Sequence, residues 1–481
     1  MRHFDRLSVA TALAASLTSS LIAVSAGPAA AAPSPSRLSD DFNGDGYRDL
    51  AVGMPSKAIS GEANAGALLI TFGSAGGLTA KHVYISQNST GIPGAAERDD
   101  HFGSSLTSGD LNQDGYADLL VASEGESIGS SSHAGSVTVL WGGPTPFPSG
   151  TTLPTGSAYP SRYFGADIAV GDFTGDSAPD VVVSSATSLW LYTGAFSRTT
   201  APAPHELSGS GGGSWHVAAG DFTGDGRDEL AAVQQGVTLV YGQQLGTSDA
   251  DSFVEQTHLA GGNAVAAGDL NGDGRDDLAV GLSNSRLYPN GLTDPSHGAG
   301  YVSVHYGTAN ADGGLSATRH VYHQDTAGIP GSNEAEDEFG ASLSIADING
   351  DHRADLAIGV PYETLGRAIR GGDVLILRGG ASGVTAAGAQ RYSQDTPGVP
   401  GSAETNDVFG SQVRLADFNR DNKADLAVSA PGENVYHNAG SGALWHLRGT
   451  SSGLSTSGAK SFGPTDYNVA PGSGIGTSLL D

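Results

Sequence analysis

Cysteine is absent from the 481 residues, so no disulfide braces the chain and no lipid can be carried on a thiol. Basic residues are scarce. Against 51 Asp and Glu stand 23 Lys and Arg, a formal net charge of -28 that excludes nucleic acid as an expected partner. Aromatic residues make up only 7%, while 72 glycines point to short, tightly packed strands and many turns. No long helical stripe follows the first residues. No later apolar run is long enough to cross a bilayer as a helix, so the mature chain is expected to have no integral membrane segment. The 14 histidines are scattered and include no H-E-x-x-H pair; His320 and His323 lie three apart in an expected outer strand, on opposite faces.

Only the amino terminus carries a sustained apolar run. Arg2 and Arg6 precede an Ala/Leu-rich stretch from Leu7 to Val24, followed by small residues that suit cleavage after Ala26 or Ala32. Residues 1–32 are therefore expected to be a signal peptide. Residues 38–481 are expected to form one domain, exported to the extracellular space, soluble and monomeric.

Acid is abundant, and it is patterned. A nine-residue motif starts at Asp41, Asp110, Asp172, Asp221, Asp269, Asp347 and Asp417, each time running into a short apolar stretch. Position 1 is always Asp, and so is position 5: Asp45, Asp114, Asp176, Asp225, Asp273, Asp351 and Asp421. Position 9 is Asp49, Asp118, Asp180, Glu229, Asp277, Asp355 or Asp425, and position 3 is Asn43, Asn112, Thr174, Thr223, Asn271, Asn349 or Asn419. A turn residue at position 6, glycine except for Ser177, His352 and Asn422, lets these oxygens curl toward one point. The backbone carbonyl of position 7 joins them, from Tyr47, Tyr116, Ala178, Arg227, Arg275, Arg353 or Lys423.

With water added, that set supplies the six to eight oxygens that Ca²⁺ accepts, so several calcium ions, up to seven, are the expected cofactor. The same residue types also make plain Asx-turns. Acids kept at positions 1, 5 and 9 in seven copies favour an ion, less so where Thr174 and Thr223 replace Asn. These acids account for 21 of the 51, and seven bound Ca²⁺ would halve the net charge of -28. By analogy with extracellular modules the affinity should be weak, on the order of 10⁻⁴ to 10⁻³ M.

The loops are not EF-hands. Position 12 is Val52, Val121, Val183, Ala232, Val280, Ile358 or Val428, so the bidentate carboxylate of that motif is missing. The residues that follow read as buried strands, among them Leu50-Ala51-Val52 and Val181-Val182-Val183. Successive motifs start 69, 62, 49, 48, 78 and 70 residues apart, which suits a repeat of about four short strands. Phe-Gly stands eight residues before the loop at Phe102-Gly103, Phe164-Gly165, Phe339-Gly340 and Phe409-Gly410. After the loop comes a small-residue cluster leading into a strand, as in Asn64-Ala65-Gly66-Ala67.

Phe-Gly, acidic loop and Gly-Ala element in this order resemble the FG-GAP repeats of the integrin α head. The resemblance implies an all-β fold, a seven-bladed β-propeller of four-stranded antiparallel blades, with calcium loops joining the first two strands of several blades. It also implies an extracellular binding or adhesion module. FG-GAP propellers accompany phospholipase-D-type hydrolases too, and a purely structural calcium-stabilised protein is the third alternative. The units around Asp221 and Asp269 depart from the pattern, showing Gly213-Ser214-Trp215 and Gly261-Gly262-Asn263 in place of Phe-Gly.

The first loop has no Phe-Gly strand before it. Ile475-Gly476-Thr477-Ser478-Leu479 matches Phe102-Gly103-Ser104-Ser105-Leu106 in residue type, so the carboxy-terminal strand is expected to complete the first blade and close the ring. No catalytic set emerges: Gly449-Thr450-Ser451-Ser452-Gly453 fits G-x-S-x-G but aligns with repeat turns that carry no serine in phase. A second repeat, Gln87 to Gly94, Gln324 to Gly331 and Gln394 to Gly401, falls on connections between blades, on the face away from the acidic loops. Tyr288, Tyr362, Tyr436 and His437 are expected on that face. It reads either as stiff spacers or as a recognition rim for an extracellular protein or polysaccharide.

Overall fold

The computed structural model describes residues 38–155, 162–207, 215–234, 236–243, 253–283, 298–309, 313–434 and 440–480. The expected signal peptide lies outside them. The apolar run after each acidic loop does form a strand. Leu50–Met54, Asp118–Ser123, Asp180–Ser184, Asp277–Leu282, Asp355–Val360 and Asp425–Ala430 are buried along their whole length. A strand with no polar face needs cover on both sides, and packed neighbouring sheets supply it.

Seven four-stranded antiparallel sheets result. The second to seventh blades run in chain order, from Phe102–Gly109 through Gly150–Thr152, Ile168–Gly171 through His205–Leu207, His216–Gly220 through Phe253–Leu259, Ala264–Gly268 through Leu315–Tyr322, Leu343–Ala346 through Thr385–Tyr392, and Val413–Ala416 through Gly453–Phe462. Among the described residues there is no helix, and hence none to cross a membrane. Cores are shared across blade boundaries: Leu120, Val139 and Trp141 of the second blade pack with Ile168 and Val183 of the third. No blade owns a core of its own.

The first blade takes its innermost strand from the far end of the chain. Ser478–Leu479 pairs with Leu50–Met54, setting Leu479 opposite Val52 and Ser478 opposite Gly53. The upstream residues dock as Phe-Gly does elsewhere. The Phe102, Phe164, Phe339 and Phe409 amides donate to Ala65, Ala134, Ala299 and Gly371 of the preceding blade, and the Ile475 amide donates to Ser441 at 3.2 Å. Glycine is required at that seam. A Cβ on Gly66 would lie 2.3 Å from the Phe102 carbonyl oxygen, and one on Gly442 would lie 2.4 Å from that of Ile475.

The two units without Phe-Gly still build complete blades. Buried Trp215 precedes the first strand of the fourth blade. In the fifth, Asn263 fastens the strand by donating to the Ser283 hydroxyl at 2.8 Å and accepting the Ser283 amide at 2.9 Å.

Candidate metal loops

Antiparallel order within each blade puts the loops between first and second strands on one face, where they chain together. The position 1 carbonyls of Asp41, Asp172, Asp221, Asp269 and Asp347 accept the position 8 amides of the next blade, from Ala117, Asp228, Asp276, Ala354 and Ala424. After Asp110 the series skips a blade, because position 8 there is Pro179, which has no N–H.

Within a loop the acids have distinct tasks. Asp41 Oδ1 accepts the amides of Gly44 at 2.7 Å and Asp45 at 3.1 Å, and its Oδ2 accepts Gly46 at 2.7 Å. Asp110, Asp172, Asp221, Asp269, Asp347 and Asp417 hold their loops the same way. Position 5 accepts the position 7 amide in every copy, from Asp45 through Asp421. Position 9 is buried in all seven. At six of them it ties the loop to a glycine at the end of the third strand, as when Asp49 accepts Phe42 and Gly73 and Asp118 accepts Leu111 and Gly142.

Position 6 is left-handed throughout, including Ser177 at φ 64°, His352 at 65° and Asn422 at 62°. So is position 4, a constraint that sequence reading missed. Five glycines there are the signal, with Gln113 at φ 57° and Arg420 at 61° breaking it.

Burial pushes the ninth carboxyl up, to about 9 at Asp49, 8 at Glu229, 7 at Asp118 and Asp277, and 6 at Asp180 and Asp355. The acids at positions 1 and 5 push Asp49, Asp118, Glu229 and Asp277 further. They therefore face one another across the loop. Nitrogen-bearing side chains stand beside loop acids: Arg198 lies 2.9 Å from Asp114, Arg275 lies 3.6 Å from Asp273, and buried His446 lies 3.2 Å from Asp425.

Among the described residues no three Asp, Glu, His or Cys side chains form a ready-made ion cage. A cation would have to complete its shell with the position 3 oxygens, the position 7 carbonyls and water. The donor set fits that use: it is all hard oxygen, and Asn271 Oδ1 is buried in its loop without a hydrogen-bond partner. Asn43, Asn349 and Asn419 instead donate to their ninth carboxylates, and the Thr174 and Thr223 hydroxyls do the same.

The family model for the FG-GAP repeat matches residues 102–140, 261–305, 339–377 and 409–447, and that for the FG-GAP-like repeat matches 172–232. The chain is an FG-GAP repeat propeller. The match over 102–140 runs from the first strand of a blade to the end of its third. The matched unit there is Phe-Gly strand, acidic hairpin and Gly-Ala strand; in the first blade the strand before the acidic hairpin comes from the other end of the chain. Phosphatidylinositol-glycan-specific phospholipase D of Bos taurus is 31% identical over 152 residues, covering 31% of this chain and 18% of that protein. Integrin alpha-IIb of Mus musculus is 30% identical over 223 residues, covering 41% and 20%. The chain thus matches about a fifth of the length of these relatives. An Agrocybe aegerita lectin recognising non-reducing terminal N-acetylglucosamine shares 15% identity over 74% of this chain and 83% of its own, with a TM-score of 0.40.

On the opposite face, the three Gln-led segments follow fourth strands and lead into the next blade. Asn88 and Asp395 accept the amides of Ala96 and Ala403, and Asp325 accepts that of Asn333, so these connections are folded rather than loose. Tyr362 is covered by Arg370, 4.3 Å from the ring centre. Tyr288, Tyr436 and His437 lie outside the described residues. The G-x-S-x-G stretch is a hairpin, with Thr450 paired to Gly453 and Ser451 and Ser452 exposed at its tip.

Proposed function

We propose that this FG-GAP propeller is an extracellular, calcium-stabilised binding or adhesion module. Its acidic loops would hold Ca²⁺, and its opposite face would present the recognition rim. The observation that carries the reading is one oxygen-lined turn built seven times on a single face, with the acid at position 9 buried each time. Calcium would supply positive charge where like carboxylates meet. Positions 1 and 5 shape the turn, position 9 anchors it to the third strand, and position 3 with the position 7 carbonyl adds neutral oxygens. The partner class is a protein or polysaccharide. Screening the purified chain against matrix proteins and polysaccharides, in calcium and in chelator, should give calcium-dependent binding without turnover; binding indifferent to calcium would contradict the reading.

The likeness to phosphatidylinositol-glycan-specific phospholipase D favours a second reading, a propeller that serves a hydrolase. Ester turnover by the purified chain, abolished by zinc chelation, would select it.

A further inference from the structure

Three junctions between blades are sealed alike on the face away from the acidic loops. Gln87, Gln324 and Gln394, each 15 residues before Phe102, Phe339 or Phe409, donate from Nε2 to Glu126, Glu363 and Glu433 of the next blade at 2.6 Å. Those glutamates sit between second and third strands, where their carbonyls accept the amides of Gly135, Gly372 and Gly442. A buried aspartate, Asp100, Asp337 or Asp407, stands two residues before each Phe-Gly.

The junction that closes the ring is built differently. Leu444 pairs with Phe462 as Leu68 pairs with Ile85 and Val374 with Tyr392, so two residues on Pro464 stands where the glutamine does elsewhere. Asp466 keeps the same phase, capping the Gly463 amide at 2.8 Å as Ser89 and Thr396 cap Ser86 and Ser393. Pro464 is only 11 residues before Ile475, so this connection is shorter. The Lys57 carbonyl accepts the Gly66 amide, which puts Lys57 at the glutamate position. In the aspartate's place is Ser473, whose hydroxyl donates to the Ala470 carbonyl. The glutamate and the aspartate are both gone, and an ammonium has come in.

Beside the shorter connection lies a groove of about 380 Å³, lined by Lys57, His82, Tyr84, Tyr467 and Asn468. Tyr84 stands opposite Leu69 as Arg391 stands opposite Leu375 in the sixth blade, where Arg391 reaches Glu363 at 2.7 Å. Here that position brings a phenol ring, 38% exposed, into the same groove as the lysine. Tyr467 is buried and meets the His82 ring edge-on at 5.3 Å, which fixes the floor. Among the described residues no carboxylate pairs with Lys57, and burial alone holds its ammonium below the ordinary value. A half-buried ammonium without a counterion favours an anionic ligand.

We propose that this groove binds a uronate residue of an acidic polysaccharide, its carboxylate on Lys57, an apolar face of its ring on Tyr84 and its hydroxyls on Asn468. A carboxylate and a flat apolar face occur together in such a residue, whereas an aspartate or glutamate of a peptide brings only the first. Small-ligand sites run from about 300 to 1,000 Å³, so the groove suits sugar rings and not a folded partner. The inference rests on reading this face as a recognition rim, and it narrows the ligand.

Calorimetric titration of the full chain at about 0.15 M salt, which screens the acidic remainder of the molecule, tests it. The probes are tetramers of glucuronate, galacturonate and mannuronate, their neutral glucose, galactose and mannose counterparts, and tetraglutamate. One uronate tetramer or more should bind about ten-fold tighter than its neutral counterpart and than tetraglutamate, as one charge-assisted hydrogen bond gives. Lys57→Met should erase that preference at an unchanged melting temperature, Lys57→Arg should keep it, and Tyr84→Ala should weaken charged and neutral tetramers alike. Failure of all three uronates, a preference that survives Lys57→Met, or equally tight tetraglutamate would overturn the proposal. A neutral sugar or protein that binds this face and is indifferent to Lys57→Met would sink the groove and leave the recognition rim standing.

Discussion

Ring closure rests on a few residues near the carboxy terminus, and Ile475 is the one to perturb. It is fully buried, it docks against Gly442 as Phe102 docks against Gly66, and it joins the core that links the first and last blades. Ile475→Ala removes apolar volume without changing the number of ordered residues, so the expected cost is that of a buried large-to-small change, about 2–5 kcal/mol. Unfolding entropy of roughly 2 cal/mol/K per residue over roughly 440 residues makes one degree worth about 0.9 kcal/mol. Differential scanning calorimetry should therefore show Tm falling by roughly 2–5 °C. Deleting residues 470–481 should lower it further, because the inner edge of Leu50–Met54 loses its partner. A truncated chain that melts with the intact one would refute closure by this strand.

Three further outcomes follow from particular residues. Gly372 and Gly366 are both left-handed, but a Cβ on Gly372 would lie 2.1 Å from the Phe409 carbonyl while one on Gly366 meets nothing, so chemical denaturation should find Gly372→Ala several-fold costlier than Gly366→Ala. Gln113→Gly and Arg420→Gly should each raise stability by about 1 kcal/mol, by removing a left-handed side-chain conformation. Asp337 is pushed up to about 7, first by burial and then by Glu363 and Glu334, against Arg391. A raised folded-state value means its stabilisation is complete below its ordinary value and is lost as pH rises through 7, so Asp337→Asn should be more stable than the parent at pH 8 by about 1 kcal/mol after solvent screening. That advantage should vanish near pH 4; equal stability at pH 8 would contradict it.

Much of the fold was legible because its signals repeat. Seven acidic motifs at a steady phase located the hairpins between first and second strands, and the match of Ile475 to Phe102 located the closing strand before any pairing was visible. What escaped was tertiary or masked by side-chain identity. The left-handed turn at position 4 was hidden by Gln113 and Arg420. Position 9, an expected ion ligand, also fastens the loop to a glycine after the third strand, 24 residues on at Asp49 and Gly73. The repeated glutamines were visible at fixed phase, but Glu126, Glu363 and Glu433 lie in different connections and only strand pairing brings them together.

The acidic loops carry the central claim, and calorimetric titration of the purified chain with calcium, paired with its melting curve, addresses it. At free calcium ten to a hundred times Kd, each occupied loop contributes about 1.4–2.7 kcal/mol, so seven would raise Tm by roughly 10–20 °C over chelator. The account predicts binding heat in the 10⁻⁴ to 10⁻³ M range with that rise. No heat, and superimposable melts in calcium and chelator, would contradict it.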